Sequence, residues 1–444
     1  MKTTLNKALL TSAALIGSSL TSFAQEAEVA TVDSGDTAWM LTSTLLVLLM
    51  CLPGLALFYG GLVRAKNVLS IFVQCFSMAG IMSLLWVAFG YAVAAGSGGN
   101  AYVGWDQSFA FLGHITEDAV NGSIPESVWV TFQMTFIIIS PAIIVGAFAE
   151  RMKFSAVLIF TTIWTILSYL PMWHMVWGGG LFHGGEEGNW LMGAHEHALD
   201  FAGGNVVHIN AGIAGLVACL FVGKRKGFPG PTLVPHNVPY VLIGAALLWV
   251  GWFGFNAGSA GGANGSAGMA MLTTQIAAAA ALVVWMGIEW FVSKKPTAVG
   301  AATGAVAGLV AITPAAGTTD VMGAMAIGAI SSLVCYLAAT KLKHKLNYDD
   351  SLDVFGVHGI GGIVGALLTG VFIREGYADA TGGFAQFWVQ AKSVLMTAGW
   401  SAIAAVIAIV IAKTLCRGLR VEEDVEHGGL DLNDHGEEAY NSES

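Results

Sequence analysis

Eleven long apolar runs separated by short polar loops decide what this chain can become. They cover about Trp39–Leu62, Leu69–Ala95, Val128–Ala149, Phe154–Trp177, Phe201–Val222, Tyr240–Asn256, Ala267–Val292, Val299–Thr313, Met322–Ala339, Val354–Ile373 and Val394–Ala412. A helix of about twenty apolar residues crosses the hydrocarbon core with every backbone hydrogen bond made internally. The eighth run is short and Gly-rich, so its limits are the loosest. Charged residues are 11% of the chain, against roughly 25% in soluble domains, too few to cover a soluble surface. The 57 glycines follow no collagen period, and 23 Phe with 14 Trp exclude disorder. What remains is an all-α polytopic membrane protein whose helices approach closely through small residues.

The net charge of −10 is local. Nine acids and no Lys or Arg follow Val421, so nucleic-acid binding has no support. Such a run reads first as a solvated tail and second as a docking surface. Residues 1–24 read as a signal peptide: Lys2 and Lys7, an apolar stretch from Ala8 to Leu20, then Ser22-Phe23-Ala24. Four parts follow: the signal peptide, an external segment over 25–38, a transmembrane domain over 39–415, and a cytoplasmic acidic tail over 416–444. The five cysteines all lie in or at the ends of apolar runs, which predicts no disulfide framework.

With the N-terminus outside, alternate loops hold 15 of the 19 Lys and Arg residues. That bias predicts eleven transmembrane helices, N-out and C-in. Ten of the eleven divide into fives, which suggests an inverted repeat with one helix added. Asp200 to His208 leads into Asn210-Ala211-Gly212 on the fifth span, and Asp353 to His358 leads into Gly359-Ile360-Gly361 on the tenth.

Ionisable residues inside a membrane are costly and point to function. His208 lies 16 residues before Lys224, and His358 lies 13 residues after Lys345. At 1.5 Å per residue that places them about 24 and 20 Å from the inner face. Neutral imidazoles donate at one nitrogen and accept at the other, so a pair can line a polar yet uncharged path or relay a proton. The His-rich stretch around His183, His195 and His197 lacks metal-site spacing, so no metal is assigned. Trp177 falls at the outer mouth, Phe136 in the outer half of the third span, and Trp252, Phe253 and Phe255 near the end of the sixth, just before Ser259. Most tryptophans in such a chain belong to lipid packing and the interfacial belt. An aromatic face near a wet mouth also attracts a cation without a carboxylate. Asp200 and Asp353, each ahead of a span, read as helix caps; direct substrate contact is the alternative for Asp200.

Asp200-Phe-Ala-Gly-Gly-Asn-Val-Val-His208-Ile-Asn-Ala-Gly resembles the signature of the ammonium transporter family (Amt/Mep/Rh). Trp252-Phe-Gly-Phe255-Asn-Ala-Gly-Ser259, Asp353-Val-Phe-Gly-Val-His358-Gly and His174-Met-Val-Trp177 are similar to its bacterial members. The resemblance implies a homotrimer with one pore per subunit. It implies ammonium recruitment by Trp177, Phe136 and Ser259 with Asp200 beside them, and a gate of Phe136 and Phe255. It also implies a twin-histidine pore of His208 and His358, lined by Trp252. Ammonium or ammonia is then the substrate, methylammonium a candidate congener, and no cofactor is required. The tail resembles the one through which bacterial members meet a PII-type signalling protein. The external stretch 181–199 is longer and richer in His than in compact members. An ammonium sensor signalling through the tail is the alternative function. A membrane enzyme is disfavoured, because no carboxylate or thiol joins the two histidines within a span.

Overall fold

The computed structural model describes residues 31–230, 233–374 and 383–440. The signal peptide expected over 1–24 lies outside the described residues, as does Glu443 at the end of the tail. The described chain is mostly helical and contains ten helices long and apolar enough to cross a membrane. They are α1 Ser34–Leu62, α2 Ala65–Ala95, α3 Glu126–Phe148, α4 Phe154–Trp177, α5 Gly204–Val222, α6 Val238–Gly258, α7 Gly265–Ser293, α9 Val321–Leu346, α10 Phe355–Phe372 and α11 Gly383–Leu415. Between α7 and α9 runs α8, Ala298–Ile312, a 15-residue apolar helix about 22 Å long. Every expected apolar run is therefore helical.

Boundaries moved where polar residues hide inside helices. The eleventh run was expected from Val394, yet α11 begins at Gly383. Its first turns carry Gln386, Gln390 and Lys392, which read as loop but are held by His197, Leu199 and Glu196 in turn. Likewise α9 continues to Leu346, so Lys341, Lys343 and Lys345 sit on a helix end rather than in a loop. Caps account for several starts: the side chains of Asp33, Asn237, Asn264, Thr297 and Asp320 each accept a backbone N–H from the first turn of α1, α6, α7, α8 and α9.

Packing repeats itself. α2 lies on α3 and α4 as α7 lies on α8 and α9, α1 packs on α3 as α6 packs on α8, and α1 meets α6. α5 and α10 cross at the centre, entering from opposite ends of the molecule, and α11 straps α4, α5 and α10 from outside. Between α2 and α3 the chain forms two small antiparallel pairs, β1 (Gly98–Gly99) with β2 (Gly104–Trp105), and β3 (Val120–Asn121) with β4 (Ile124–Pro125).

At the opposite end of the molecule, buried ion pairs stitch the helix ends together. Glu150 meets Arg64 and Arg225, each at 3.0 Å, and Arg225 meets Asp349 at 2.9 Å. Burial works to raise the Glu150 carboxyl, but Arg225 and Arg64 outweigh it and hold it below its ordinary value. The acidic tail keeps most of its described carboxylates exposed, as its composition suggested, but it is docked on the helices as well. It returns across this end with Glu426 and Asp431 buried. Asp431 accepts the backbone N–H groups of Leu69 and Ser70 at 3.0 and 2.8 Å, capping α2, and Glu426 takes Arg420 at 2.6 Å. A short helix α12, Glu423–Gly428, carries the chain between them. The difference is physical: a net negative segment docks when free N–H groups and guanidinium heads await it.

Candidate functional site

Two turns place the central histidines, and they match position for position at an offset of 150 residues. In the first, Asp200 accepts the N–H groups of Gly203, Gly204, Asn205 and Val206 at 2.5–3.3 Å. Gly203 adopts φ +118°, and a π-helical turn over Gly204–Ile209 carries His208. In the second, Asp350 accepts the N–H groups of Val354 and Phe355 at 3.0 and 2.7 Å. Asp353 adopts φ +60°, and a π-helical turn over Phe355–Gly359 carries His358. The expected cap at Asp353 is thus corrected to Asp350. Asp353 occupies the left-handed position of the turn, and its carboxylate meets Lys343 at 2.6 Å instead. Asp200 is a cap as expected, with its carboxylate turned to the backbone; burial pushes that carboxyl up to about 6 against the pull of those N–H groups.

Glycine lets the two turns touch. A Cβ on Gly212 would lie 2.3 Å from the Gly359 backbone, and one on Gly362, again 150 residues on, would lie 2.9 Å from Ile209 and 3.1 Å from the His208 Cβ. At this crossing His208 Nδ1 and His358 Nδ1 are 3.3 Å apart, with ring centroids 5.4 Å apart. Both side chains are buried, and the other His208 nitrogen, Nε2, has no hydrogen-bond partner. One Nδ1 must donate while the other accepts, so two tautomeric arrangements exchange the roles of the outer-facing nitrogens.

A line of rings leads to this pair from the end remote from the tail. Trp177 meets Phe136 edge-on at 6.0 Å, Phe136 meets Phe255 at 4.4 Å, and Phe255 lies 5.9 Å from His208. The Trp252 ring stacks on His208 at 5.4 Å, its Nε1 donating to Thr313 Oγ1 at 2.9 Å. The Trp177 Nε1 donates to the Asp200 carbonyl at 2.8 Å, tying the outermost ring to the capped turn. Ser259 lies one turn beyond Phe255 and donates its hydroxyl to the Phe255 carbonyl at 2.8 Å, which leaves its lone pairs free. Trp177, Phe136, Phe255, Trp252, His208 and His358 are therefore brought together, and Ser259 sits at the head of the same helix turn.

Past the rings, a cavity of only about 10 Å³ is lined by Phe255, Trp252, Leu248, Val306, His208 and His358. That is about the least room one water needs. His358, Val306 and Phe58 also line a wider, polar cavity of about 290 Å³, which reaches Arg225, Lys343 and Asp353 at the tail end. The sequence reading named His174 only within a family motif and missed that it is a third histidine buried within a long apolar helix. Its ring nitrogens lie 2.9 and 3.1 Å from the carbonyls of Ala94 and Asn100, pinning the segment after α2. Its position inside a long apolar run was the available signal. In the His-rich stretch, His183 and His197 stack at 6.1 Å, and Glu196 meets Lys392. Among the described residues no cluster of three or more His, Cys, Asp or Glu could hold a metal.

Ten long apolar helices packed around a buried cluster of rings define a multi-pass membrane protein. The chain belongs to the Ammonium Transporter Family, whose sequence model matches residues 38–440. It is 45% identical over 440 residues to an ammonium transporter of Aquifex aeolicus, covering 96% of this chain and 98% of that one. An ammonium transporter of Bacillus subtilis is 46% identical over 414 residues, covering 91% and 98%. Among solved structures, Saccharomyces cerevisiae Mep2 superposes with a TM-score of 0.77 at 30% identity, covering 89% of this chain and 92% of that one. A protein titled a sensor Amt protein gives 0.80 at 28% identity, covering 90% and 97%.

Proposed function

We propose that this protein carries ammonium across the bacterial inner membrane as a homotrimer, each subunit with eleven crossing helices arranged N-out and C-in. The observation that carries the reading is the buried 3.3 Å contact between His208 and His358 at the end of a ring-lined approach. Ammonium arrives at Trp177, Phe136 and Ser259, where ring faces and a hydroxyl with free lone pairs replace part of its water. A proton leaves at or near the Phe136–Phe255 gate. Neutral ammonia then passes Trp252, His208 and His358, while the proton returns outside or follows through the imidazoles.

Support for the selectivity is energetic. A passage with room for about one water cannot keep a cation hydrated, and a bare ion there costs several kcal/mol or more. Potassium has no proton to leave behind, so it stops where ammonium continues. Asp200 acts by holding the turn and by biasing the mouth towards cations. Residues 1–24 act as a cleaved signal peptide, and the tail face is the site for a PII-type partner. Orientation is supported by the basic residues Arg64, Arg151, Arg225 and Lys343 gathering at the tail end.

The test is a substrate-evoked current in proteoliposomes holding the full chain. Ammonium should evoke a signal that His208→Ala alters, and potassium should evoke none. Potassium currents as large as ammonium currents would overturn the dry-passage mechanism.

A further inference from the structure

The two histidine turns share a plan but draw their external support from different elements. α11 lies outside the repeated packing, yet its side chains hold the first turn. Gln390 Nε2 donates to the Leu199 carbonyl and Gln390 Oε1 accepts the Leu199 N–H, both at 2.7 Å. One side chain therefore satisfies both backbone groups of the residue before Asp200, whose carbonyl receives the Trp177 indole. Two turns along α11, Thr397 Oγ1 donates to Asn205 Oδ1 at 3.1 Å, sharing its proton with the Ser393 carbonyl at 2.8 Å. Asn205 belongs to the π-turn that carries His208. One turn further, Ser401 donates to the Asn210 carbonyl at 2.7 Å, just past the histidine.

Gln390, Thr397 and Ser401 are spaced by seven and four residues, so they share one face of α11. All three are buried, where an unmade hydrogen bond is costly. The second turn takes its support from elements other than α11: Arg151 donates to the Asp349 carbonyl at 2.6 Å and Lys343 to the Asp350 carbonyl at 3.4 Å. At the offset of 150, Leu199 corresponds to Asp349, which Arg225 holds, and Asn205 corresponds to Phe355, which has no side-chain polar group.

We propose that α11 is a splint for the outer half of the passage, with two separable positioning residues. Gln390 sets the Trp177 indole through the Leu199–Asp200 peptide, and Thr397 sets His208 through Asn205. The inference rests on the transport reading above and predicts a division of labour within it. Loss of the Gln390 bonds loosens recruitment at the mouth; loss of the Thr397 bond loosens the passage itself.

The experiment measures ammonium-evoked currents against concentration for the full chain in proteoliposomes. Gln390→Leu should raise the half-saturating ammonium concentration on the order of 10-fold with the maximal signal unchanged. Should that variant not fold, Gln390→Glu keeps the acceptor for the Leu199 N–H and removes the donor, and should shift half-saturation in the same direction. Thr397→Val, which keeps the side-chain shape, should lower the maximal signal on the order of 10-fold at unchanged half-saturation. Thr397→Ser should restore it. Parameters that fall together in both variants, a Thr397→Ser variant as impaired as Thr397→Val, or variants that behave as the parent would overturn the splint. A parent protein with no ammonium-evoked signal would instead overturn the transport reading.

Discussion

The turn from Asp200 to His208 and the turn from Asp350 to His358 are built alike and dressed differently. Each has a capping carboxylate, a left-handed residue three positions on, a π-turn and a histidine at the eighth position. Around the first, Gly203 leaves room for the Val207 side chain, which lies 2.8 Å from where its Cβ would be, and Trp177 packs beside it. Around the second, the same position is Asp353, paired with Lys343 in a wide polar cavity. The scaffold fixes where the rings meet. The surroundings fix what each mouth offers a solute: aromatic faces on one side, charged and hydrated groups on the other.

The sharpest way to break the likeness is at the crossing. Gly212→Ala would drive a methyl into the Gly359 backbone, which has no way to yield, and should reach or exceed the roughly 1–3 kcal/mol usual for overpacking. Gly362→Ala meets mainly side-chain atoms of Ile209 and His208 and should fall low in that range. Yield of monodisperse protein and thermal melting in detergent compare the two. Equal losses would mean that the crossing is looser than the contacts imply.

The caps come next. Asp200 holds four N–H groups and Asp350 two through their side chains, so Asp200→Ala should cost about 3 kcal/mol and Asp350→Ala about 1–2 kcal/mol. Denaturation of the purified variants reads the difference. A pH series sharpens it. The folded Asp200 carboxyl titrates near 6, above its unfolded value of 3.8, so between those values the folded state holds a proton that the unfolded chain has lost. This group therefore adds stability as pH falls from about 6 to 4 and contributes no further slope above 6. Asp200→Asn should lack that component in melting curves across the same window.

The smallest effect is expected at the left-handed position. Asp353→Gly removes the backbone strain of φ +60° but also the Lys343 ion pair, so melting should change by within about 1 kcal/mol. The reciprocal Gly203→Ala has no such compensation: it strains φ +118° and meets the Val207 side chain at 2.8 Å.

Much of this was legible before any coordinates. Apolar length marks helices because lipid leaves a backbone no other partner, so every expected run is helical. Both histidines were readable as rare types at telling depths, whereas the ring residues stood out from the other aromatics only through the family resemblance. The choice of cap was not. Asp349, Asp350 and Asp353 lie within five residues, and only the direction of the Val354 and Phe355 N–H groups selects Asp350. The π-turns leave no mark in hydropathy, since they change the backbone path and not the composition. Gln390 read as loop because its amide suits water in isolation; its partner, Leu199, is 191 positions away in the chain. The docking of the tail was hidden for the same reason, because Asp431 finds its donors on α2.

The half-turn that relates the two histidines has a bearing on direction. In the proposed transport the two backbone turns give the histidine pair no arrow of its own, since they are built alike, while its neighbours differ: Trp252 and Phe255 against His208, and the wide polar cavity beside His358. Any one-way character must therefore be set at the entrances, by what gathers at the indole and by what waits beside Lys343. The core is the lock's barrel, and the ends decide which way the traffic runs.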